Sequence, residues 1–536
     1  MKPALKILAA GAFALAVGGC STFIDINENP NAPTVVKPDA ILAQALAITA
    51  ANYTGGQGAI APNNQNYNSY ASFAADYWGK SGVVSGFGEE RTYNYSSSYY
   101  GNLFSFTYDN LNDYNLIQQQ GTAQGYPFHA AIARIMKVYN FQLLVDEYGD
   151  IPYKQALQAA GNVTPTYDKA DAIYKDFIVQ LDGAIDDINK ATAAGGSQVV
   201  GAEDVVFGGN MTKWKQFANS LKLRVLLRQS QVPALDGYVR TEMTRLQAAT
   251  DGFIDADVVV QPGYAQSTNQ QNPLYNRYGL TPSGSNTTER SYQIPTNYII
   301  AQYVGNNDPR VSRLYALGSR TVNGVTTDAY VGTDAGESGP PSFNGNVVAS
   351  RFLLNGGILK GFNAPTPLML LAEHLFAKAE AETRGLFTGG DAAAKIDFLD
   401  GIKASFVYFY RPATGSVNPL ASSTDGVAEY TTYIAANTTN PLVNYDLAPS
   451  SGALGKQSVI IYQKYLAMNS VASTEAWDDY RRTAQPKFQP SLESASPRPD
   501  RLPTRLLYPL SEVSTNAANI PANVDQYTKI FWDVVD

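Results

Sequence analysis

The sequence predicts a mainly α fold, in which tetratricopeptide-like helix pairs form a scaffold and a loop-rich part is carried on it. Two observations predict this. Several stretches place apolar residues at helical spacing, and small residues are mixed with aromatics along them, as in paired amphipathic helices. Between them, residues 52–108 and 255–350 are rich in Asn, Gln, Gly, Ser, Thr and Tyr, with little periodicity. Loops of that length inside a compact chain are usually functional or disordered, and the many tyrosines argue for ordered excursions packed on the helices.

At the N-terminus, Lys2 and Lys6 precede a short apolar run from Ile7 to Val17. This run is shorter than the roughly 20 residues that span a bilayer, so residues 1–19 read as a signal peptide and not as a transmembrane helix. Gly18 and Gly19 lead into Cys20, the one cysteine of the 536-residue chain. A small residue before Cys after an apolar stretch is what a lipoprotein signal peptidase requires, so Cys20 is the expected lipidation site and membrane anchor. Each buried CH₂ of an acyl chain contributes about 0.8 kcal/mol, so several chains on one residue hold firmly. With one cysteine, no intramolecular disulfide can form, and stability must come from a packed core. Residues 20–38 then form the lipidated cysteine and a polar, proline-bearing tether (DINENPNAPTVVKP from Asp25), and 39–536 form a single domain with the two excursions.

The helices follow in order. Phe128, Ala131, Ile132, Ile135, Tyr139 and Leu143 line one helical face. Ala170, Ile173, Tyr174, Phe177, Leu181, Ala184, Ile185 and Ile188 line a second. Trp214, Phe217, Ala218, Leu221 and Val225 line a third, and Leu368, Leu371, Leu375, Phe376 and Ala379 a fourth. A fifth helix covers Val459 to Met468. Their spacing is looser than a 34-residue repeat, so periodicity alone leaves open whether they are repeat pairs or unrelated helices of an all-α core.

Charge and composition exclude several functions. Loss of residues 1–19 removes two lysines and makes a formal charge of −8 more negative by two, a poor match to nucleic acid, whose affinity comes from Lys and Arg on phosphates. Two histidines, His129 and His374, give little material for a histidine metal site or a Ser-His-Asp triad, and no H-E-x-x-H motif exists. Gly79-Lys80-Ser81 resembles the end of a P-loop, but Ala74 stands where its first glycine belongs; Gly86-Phe87-Gly88 lacks the third glycine of a dinucleotide fingerprint. Asp255 and Asp257 do not make an EF-hand loop. No metal or cofactor is expected. Adjacent carboxylates at Glu89-Glu90, Asp186-Asp187 and Asp478-Asp479 keep a glycoside hydrolase as the enzyme reading to test, since that chemistry needs only two carboxylates. The reading preferred is a binding protein without catalysis.

Rigid aromatics that stack on sugar faces, beside amides that bond hydroxyls, suit saccharide capture. The densest cluster is Tyr77-Trp78 with Tyr93, Tyr95, Tyr99 and Tyr100; a second is Tyr264, Tyr275, Tyr278 and Tyr292 beside Asn272 and Arg277. Trp214, Trp477 and Trp532 read as core or packing residues, which leaves Trp78 as the loop tryptophan, either a ligand platform or the anchor of its own loop. The candidate ligand-binding residues are Trp78, Tyr77, Tyr93, Tyr95, Tyr99, Tyr275 and Tyr278.

The ordered motifs carry a family resemblance. Asp25, Asn27, Pro30, Asn31 and Pro33 form D-x-N-x-x-P-N-x-P behind Cys20; Tyr148-Gly149-Asp150-Ile151-Pro152-Tyr153 precedes a YDKADAIY stretch at Tyr167 to Tyr174; and Trp214 to Arg224 reads W-x-x-x-A-N-S-L-K-L-R. Asp308-Pro309-Arg310, Ala372-Glu373, Ala379-Glu380-Ala381, Gln463-Lys464-Tyr465, Asp479-Tyr480-Arg481-Arg482-Thr483 and Leu502 to Pro509 with Glu512 and Asn516 follow. In this order they make the chain resemble the SusD/RagB family of Bacteroidetes outer-membrane lipoproteins, its SusD-like branch, over essentially the whole mature chain. The resemblance implies a tetratricopeptide-like fold with a loop-rich ligand part. It also implies an outer-membrane, lipid-anchored, cell-surface protein that holds oligosaccharide, or in some members oligopeptide, as partner of a SusC-like TonB-dependent transporter. Ser21 to Ile24 stand before Asp25, whereas surface-export signals in this group usually place acidic residues soon after the lipidated Cys, so surface exposure rests more on the resemblance than on this signal. The remaining alternatives are an oligopeptide-binding RagB-like protein, favoured by the Asn and Gln of residues 261–276, and a purely structural lipoprotein.

Overall fold

The computed structural model describes residues 36–55, 65–494 and 502–534. The signal segment, Cys20 and nearly all of the tether lie outside the described residues.

The scaffold is helical. Its helices include α1 (Pro38–Thr54), α2 (Tyr67–Ala74), α3 (Asn102–Gln124), α4 (Pro127–Tyr148), α5 (Ala170–Ala194) and α6 (Met211–Gln229) in the first half. In the second half they are α7 (Leu371–Thr383), α8 (Gly390–Tyr410), α9 (Lys456–Met468) and α10 (Ser473–Thr483). Neighbours in sequence pack as neighbours in space: α3 on α4, α4 on α5, α5 on α6, and α7 on α8. These are the expected helix pairs.

Local chemistry sets the ends. Pro127 opens α4, where its missing N–H costs nothing and its fixed φ suits the first turn. Gly149 closes it at φ 73°, a backbone conformation that favours glycine, and a Cβ there would crowd Arg505 Nη1 at 3.1 Å. The Asn210 side chain caps α6 by accepting the Lys213 N–H at 3.1 Å.

The periodicity of α5 holds: Ala170, Ile173, Tyr174, Phe177, Leu181, Ala184 and Ile188 are buried, and Ile185 is half-buried. α4 differs. Its neighbours α3, α5 and α6 cover it on nearly every side, so Gln142, Asp146 and Glu147 are buried along with the apolar face. Leu368 is also corrected: it belongs to the strand Thr366–Met369, which pairs antiparallel with Val258–Val260, and α7 begins only at Leu371. Trp214, Trp477 and Trp532 are fully buried, as packing residues should be.

The polar side chains inside the scaffold form an ionic frame. Arg224 of α6 forks onto Glu373 of α7 at 2.7 and 3.0 Å and lies 3.3 Å from Glu475 of α10. Arg228 bonds Glu475 at 3.1 Å and also pairs with Asp478. Arg481 joins Asp478 to Glu147 of α4, and Arg482 forks onto Glu380 of α7 at 2.6 and 2.7 Å while holding Asp479 at 2.9 Å. Lys464 of α9 adds a 2.8 Å pair to Asp479. Every one of these side chains is buried. Buried charges are tolerated only when paired and hydrogen-bonded, so the frame admits one register of α4, α6, α7, α9 and α10.

The described residues of both excursions carry short elements. The first contains α2, the strand Trp78–Lys80 and a helical turn Gly88–Thr92; α1 and α3 run into its ends. The second contains the turn Pro273–Tyr278 and the strand Gln293–Pro295, and a three-stranded sheet in which Gly318–Val322 lies between Val325–Ala329 and Val347–Val348. One ladder ties them together: Trp78 faces Pro295, Gly79 faces Ile294 and Lys80 faces Gln293, antiparallel. Gly79 is required by contact, because a Cβ would meet Thr333 Cγ2 at 2.3 Å.

Candidate functional site

That ladder brings residues about 200 positions apart to the two walls of one cleft, of about 870 Å³. The first excursion contributes Phe87, Tyr99 and Tyr100 with Glu89 and Glu90. The second contributes Asn276, Arg277 and Glu289 with the hydroxyls of Thr281, Thr287 and Thr288. The volume falls in the range of ligand sites, and the mixture of rings, amides, hydroxyls and charges is polar for such a site.

The aromatic wall is built as a block. Tyr95 and Tyr99 lie 4.4 Å apart at 33°, Tyr99 meets Tyr100 edge-on at 4.8 Å, and Tyr70 packs against both Tyr99 and Tyr100. The Tyr100 hydroxyl shares a 3.0 Å hydrogen bond with Ser69 Oγ on α2. Phe87, Tyr93 and Tyr100 hold left-handed backbone, with φ of 61°, 57° and 50°. Non-glycine residues adopt it at a cost of about 1–2 kcal/mol each, so tertiary contacts must hold this stretch in place. Tyr93 shows how: its hydroxyl accepts the Ser491 N–H at 2.8 Å and its carbonyl accepts from Gln526 at 3.0 Å.

Of the residues expected to meet a ligand, the structure brings Tyr99 to the cleft. Trp78 is 2% exposed and donates its indole N–H to Ser470 Oγ at 2.8 Å. It packs against Phe73 (5.9 Å), Tyr278 (5.0 Å) and Phe352 (5.3 Å), and Phe73 in turn backs Phe87 at 4.9 Å. A ring so enclosed has no face left for a sugar, so the platform expectation is corrected and the loop-anchor alternative fits the packing. Tyr77 is likewise buried, stacked on Tyr465 at 4.5 Å with its hydroxyl on the Tyr465 carbonyl. Tyr278 lies under the second wall, its hydroxyl 3.4 Å from Asn66 Nδ2. Tyr93, Tyr95 and Tyr275 are also buried, and Tyr93 and Trp78 flank a crevice of about 20 Å³ behind Phe87 and Glu90. Sequence reasoning missed Phe87, Asn276 and Glu289; the signal available was their position next to the tyrosine clusters.

The electrostatics of the cleft are acidic. Burial above all, with the neighbouring Glu89 charge, pushes the Glu90 carboxyl up to about 7, so it shares its time between donor and acceptor at neutral pH. Arg277 lies 3.5 Å from Glu289 and is in part neutralised.

Elsewhere the carboxylate pairs have structural uses. Asp478 and Asp479 sit in the ionic frame, and Asp186 and Asp187 pair with Lys190 and Arg134. Asp257 accepts the Leu371 N–H at 2.8 Å and holds Arg411 at 2.9 Å. His129 lies 3.0 Å from Glu203, and burial pushes the His374 ring, which packs beside Phe253, down to about 3, leaving it neutral. Among the described residues, no group of three or more His, Cys, Asp or Glu is placed to hold a metal ion, and no helix is long and apolar enough to cross a membrane.

Comparisons with known proteins agree on the fold. The model of the SusD-like family described as starch-binding and associating with the outer membrane matches residues 30–509. A solved chitin-binding protein superposes with a TM-score of 0.70 at 22% identity, covering 93% of this chain and all of its own. A chitin-binding SusD homologue from Flavobacterium johnsoniae gives 0.67 at 21%, covering 87% of this chain and 93% of its own. A SusD-like protein from Bacteroides thetaiotaomicron gives 0.69 at 22%, covering 92% and 98%. No curated protein matches the chain.

Proposed function

The chain belongs to the SusD-like family, and from that premise we propose that it captures an oligosaccharide in the cleft between its two excursions and delivers it to a SusC-like TonB-dependent outer-membrane transporter. In this reading the protein is anchored through lipid on Cys20, faces the cell surface and performs no catalysis. The observation that carries the site is the convergence of Phe87, Tyr99 and Tyr100 with Asn276, Arg277 and the threonine hydroxyls around one open volume. A sugar ring offers apolar C–H faces and a rim of hydroxyls. The half-buried Phe87 ring would take a face, while the amide, guanidinium and carboxyl groups would bond the rim. Trp78 serves as the support beneath Phe73 and Phe87.

The test is an array carrying oligosaccharides, including chitin fragments, and oligopeptides, probed with purified protein. Saccharide binding is expected; binding to peptides alone would move the protein to the oligopeptide reading. Mild detergent extraction should bring down a SusC-like β-barrel, and its absence would count against the transporter partnership. One observation favours a second reading: Glu90, its carboxyl pushed up to about 7, lines the cleft together with Glu89 and Glu289, and a glycoside hydrolase needs a raised carboxyl as acid and a second carboxylate. Release of reducing sugar, abolished in Glu90→Gln, would establish it.

A further inference from the structure

A second pocket, of about 270 Å³, lies on the helical scaffold, away from the cleft residues. Its walls come from α3 (Asn115, Gln118), α4 (Arg134, Lys137, Phe141) and α5 (Asp176, Gln180), and the segment 153–157 closes one side. In a chain with formal charge −8, this pocket gathers three cations, Arg134, Lys137 and Lys154, against one lining carboxylate.

The carboxylate is already engaged. Asp176 accepts from the Tyr153 hydroxyl at 2.6 Å and from Gln180 Nε2 at 3.1 Å. The cations are only partly engaged. Lys137 donates to Asn115 Oδ1 at 3.0 Å and to Gln118 Oε1 at 3.1 Å, both neutral amides, and has no ion pair among the described residues. An ammonium has three N–H donors, so one remains. Burial and the neighbouring Arg134 charge push Lys137 down to about 8, as follows from a cation held without a counter-charge. Arg134 donates Nε to Gln180 Oε1 at 2.8 Å and Nη1 to Asp187 Oδ2 at 2.9 Å, which leaves Nη2 without a protein partner among the described residues. Lys154 is exposed at the mouth, and its ammonium has no partner among the described residues. The amides of Gln180, Asn115 and Gln118 fix the directions of Arg134 and Lys137, so these donors are held ready. Phe141, Val138 and Leu157 supply an apolar side.

We propose that this pocket binds a small oxyanion, a phosphate, sulfate or carboxylate group, carried on a body no larger than a single sugar ring. The unspent donors of Arg134, Lys137 and Lys154 would take the anion, since charge-assisted bonds from a guanidinium and an ammonium are the strong ones for such groups. The volume lies just under the range of drug-sized ligand sites, which sets the size limit. The site is separate from the cleft and stands or falls independently of glycan capture.

The test is calorimetric titration of the purified protein with inorganic phosphate, sulfate and glucuronate in turn, at low ionic strength. One saturable site for at least one of them is expected. Tighter glucuronate would assign the site to sugar acids, and tighter phosphate or sulfate to the free ions. Lys137→Gln should weaken binding by about tenfold or more, the size of one lost charge-assisted bond. Lys154→Gln, at the exposed mouth and harmless to folding, should weaken it by about threefold, in keeping with a solvent-exposed charge. Glu90→Gln, in the cleft, should leave it unchanged. No saturable binding of any of the three anions would overturn the proposal. So would binding that Lys137→Gln and Lys154→Gln both leave intact.

Discussion

In the ionic frame each charge meets a counter-charge from another helix, whereas in the cleft Glu89, Glu90 and Glu289 face a single arginine. The frame is buried and two of its pairs, Arg224–Glu373 and Arg482–Glu380, are bidentate; the cleft is open and its groups are held by neighbours behind them. The frame pairs each charge across helices and so fixes how the helices pack. The cleft leaves polar groups for something else to satisfy, and holds its strained stretch from Phe87 to Tyr100 with contacts from distant segments.

The largest expected effect lies in the frame. Arg482→Met should lower unfolding free energy by about 3–5 kcal/mol in urea titrations, because Glu380 and Asp479 would stay buried with their bidentate and bridging cation gone and only Arg384 and Lys464 left beside them. Folded Arg482→Met protein should bind ligand with unchanged affinity; a parallel loss of affinity would mean that the two regions are coupled.

Trp78→Phe comes next. Losing the bond to Ser470 and part of the ring should cost about 1–2 kcal/mol in the same titration, with ligand affinity reduced by less than about threefold. A large affinity loss at unchanged stability would restore Trp78 as a ligand platform.

The two regions should also respond to pH in opposite senses. Burial opposes ionisation of Glu380, but Arg482 and Arg384 more than offset it and hold the carboxyl well below its ordinary 4.5. That contribution is full above about pH 4.5 and is lost as pH falls through the folded value. Glu90 is raised, so its contribution is full below 4.5 and is lost as pH rises through about 7. Melting curves from pH 3 to 9 should therefore flatten on the acid side in Glu380→Gln, with the melting temperature itself lower, and on the neutral side, by a smaller amount, in Glu90→Gln. The reverse assignment would contradict this account of the two carboxyls.

The same contrast governs what the sequence made legible. The frame residues Arg224, Glu373, Glu380, Lys464, Asp479, Arg481 and Arg482 all fall in the motifs that carry the family resemblance, but their pairing joins segments far apart in the chain and was not readable from the sequence. Helices α5 and α9 were readable from apolar spacing, while full burial of α4 was not, since coverage on a second side depends on partners elsewhere in the chain. The cleft was half legible. Tyrosine density marked both walls, but density does not distinguish a ring facing outward from one stacked behind it, and so Trp78 and Tyr77, counted among the candidate ligand residues, lie buried against other rings. The Trp78–Pro295 ladder joins the two excursions, and Tyr99 and Asn276 line the same cleft.

Glycan capture in the cleft is tested most directly by calorimetry of Phe87→Ala against the unaltered protein, with an oligosaccharide that the array selects. Loss of affinity of about tenfold or more is predicted, the size of a base- or sugar-like ring losing its aromatic partner, with urea unfolding shifted by no more than about 1–2 kcal/mol. Unchanged affinity in Phe87→Ala and in Asn276→Ala alike would contradict the account and place the ligand outside this cleft.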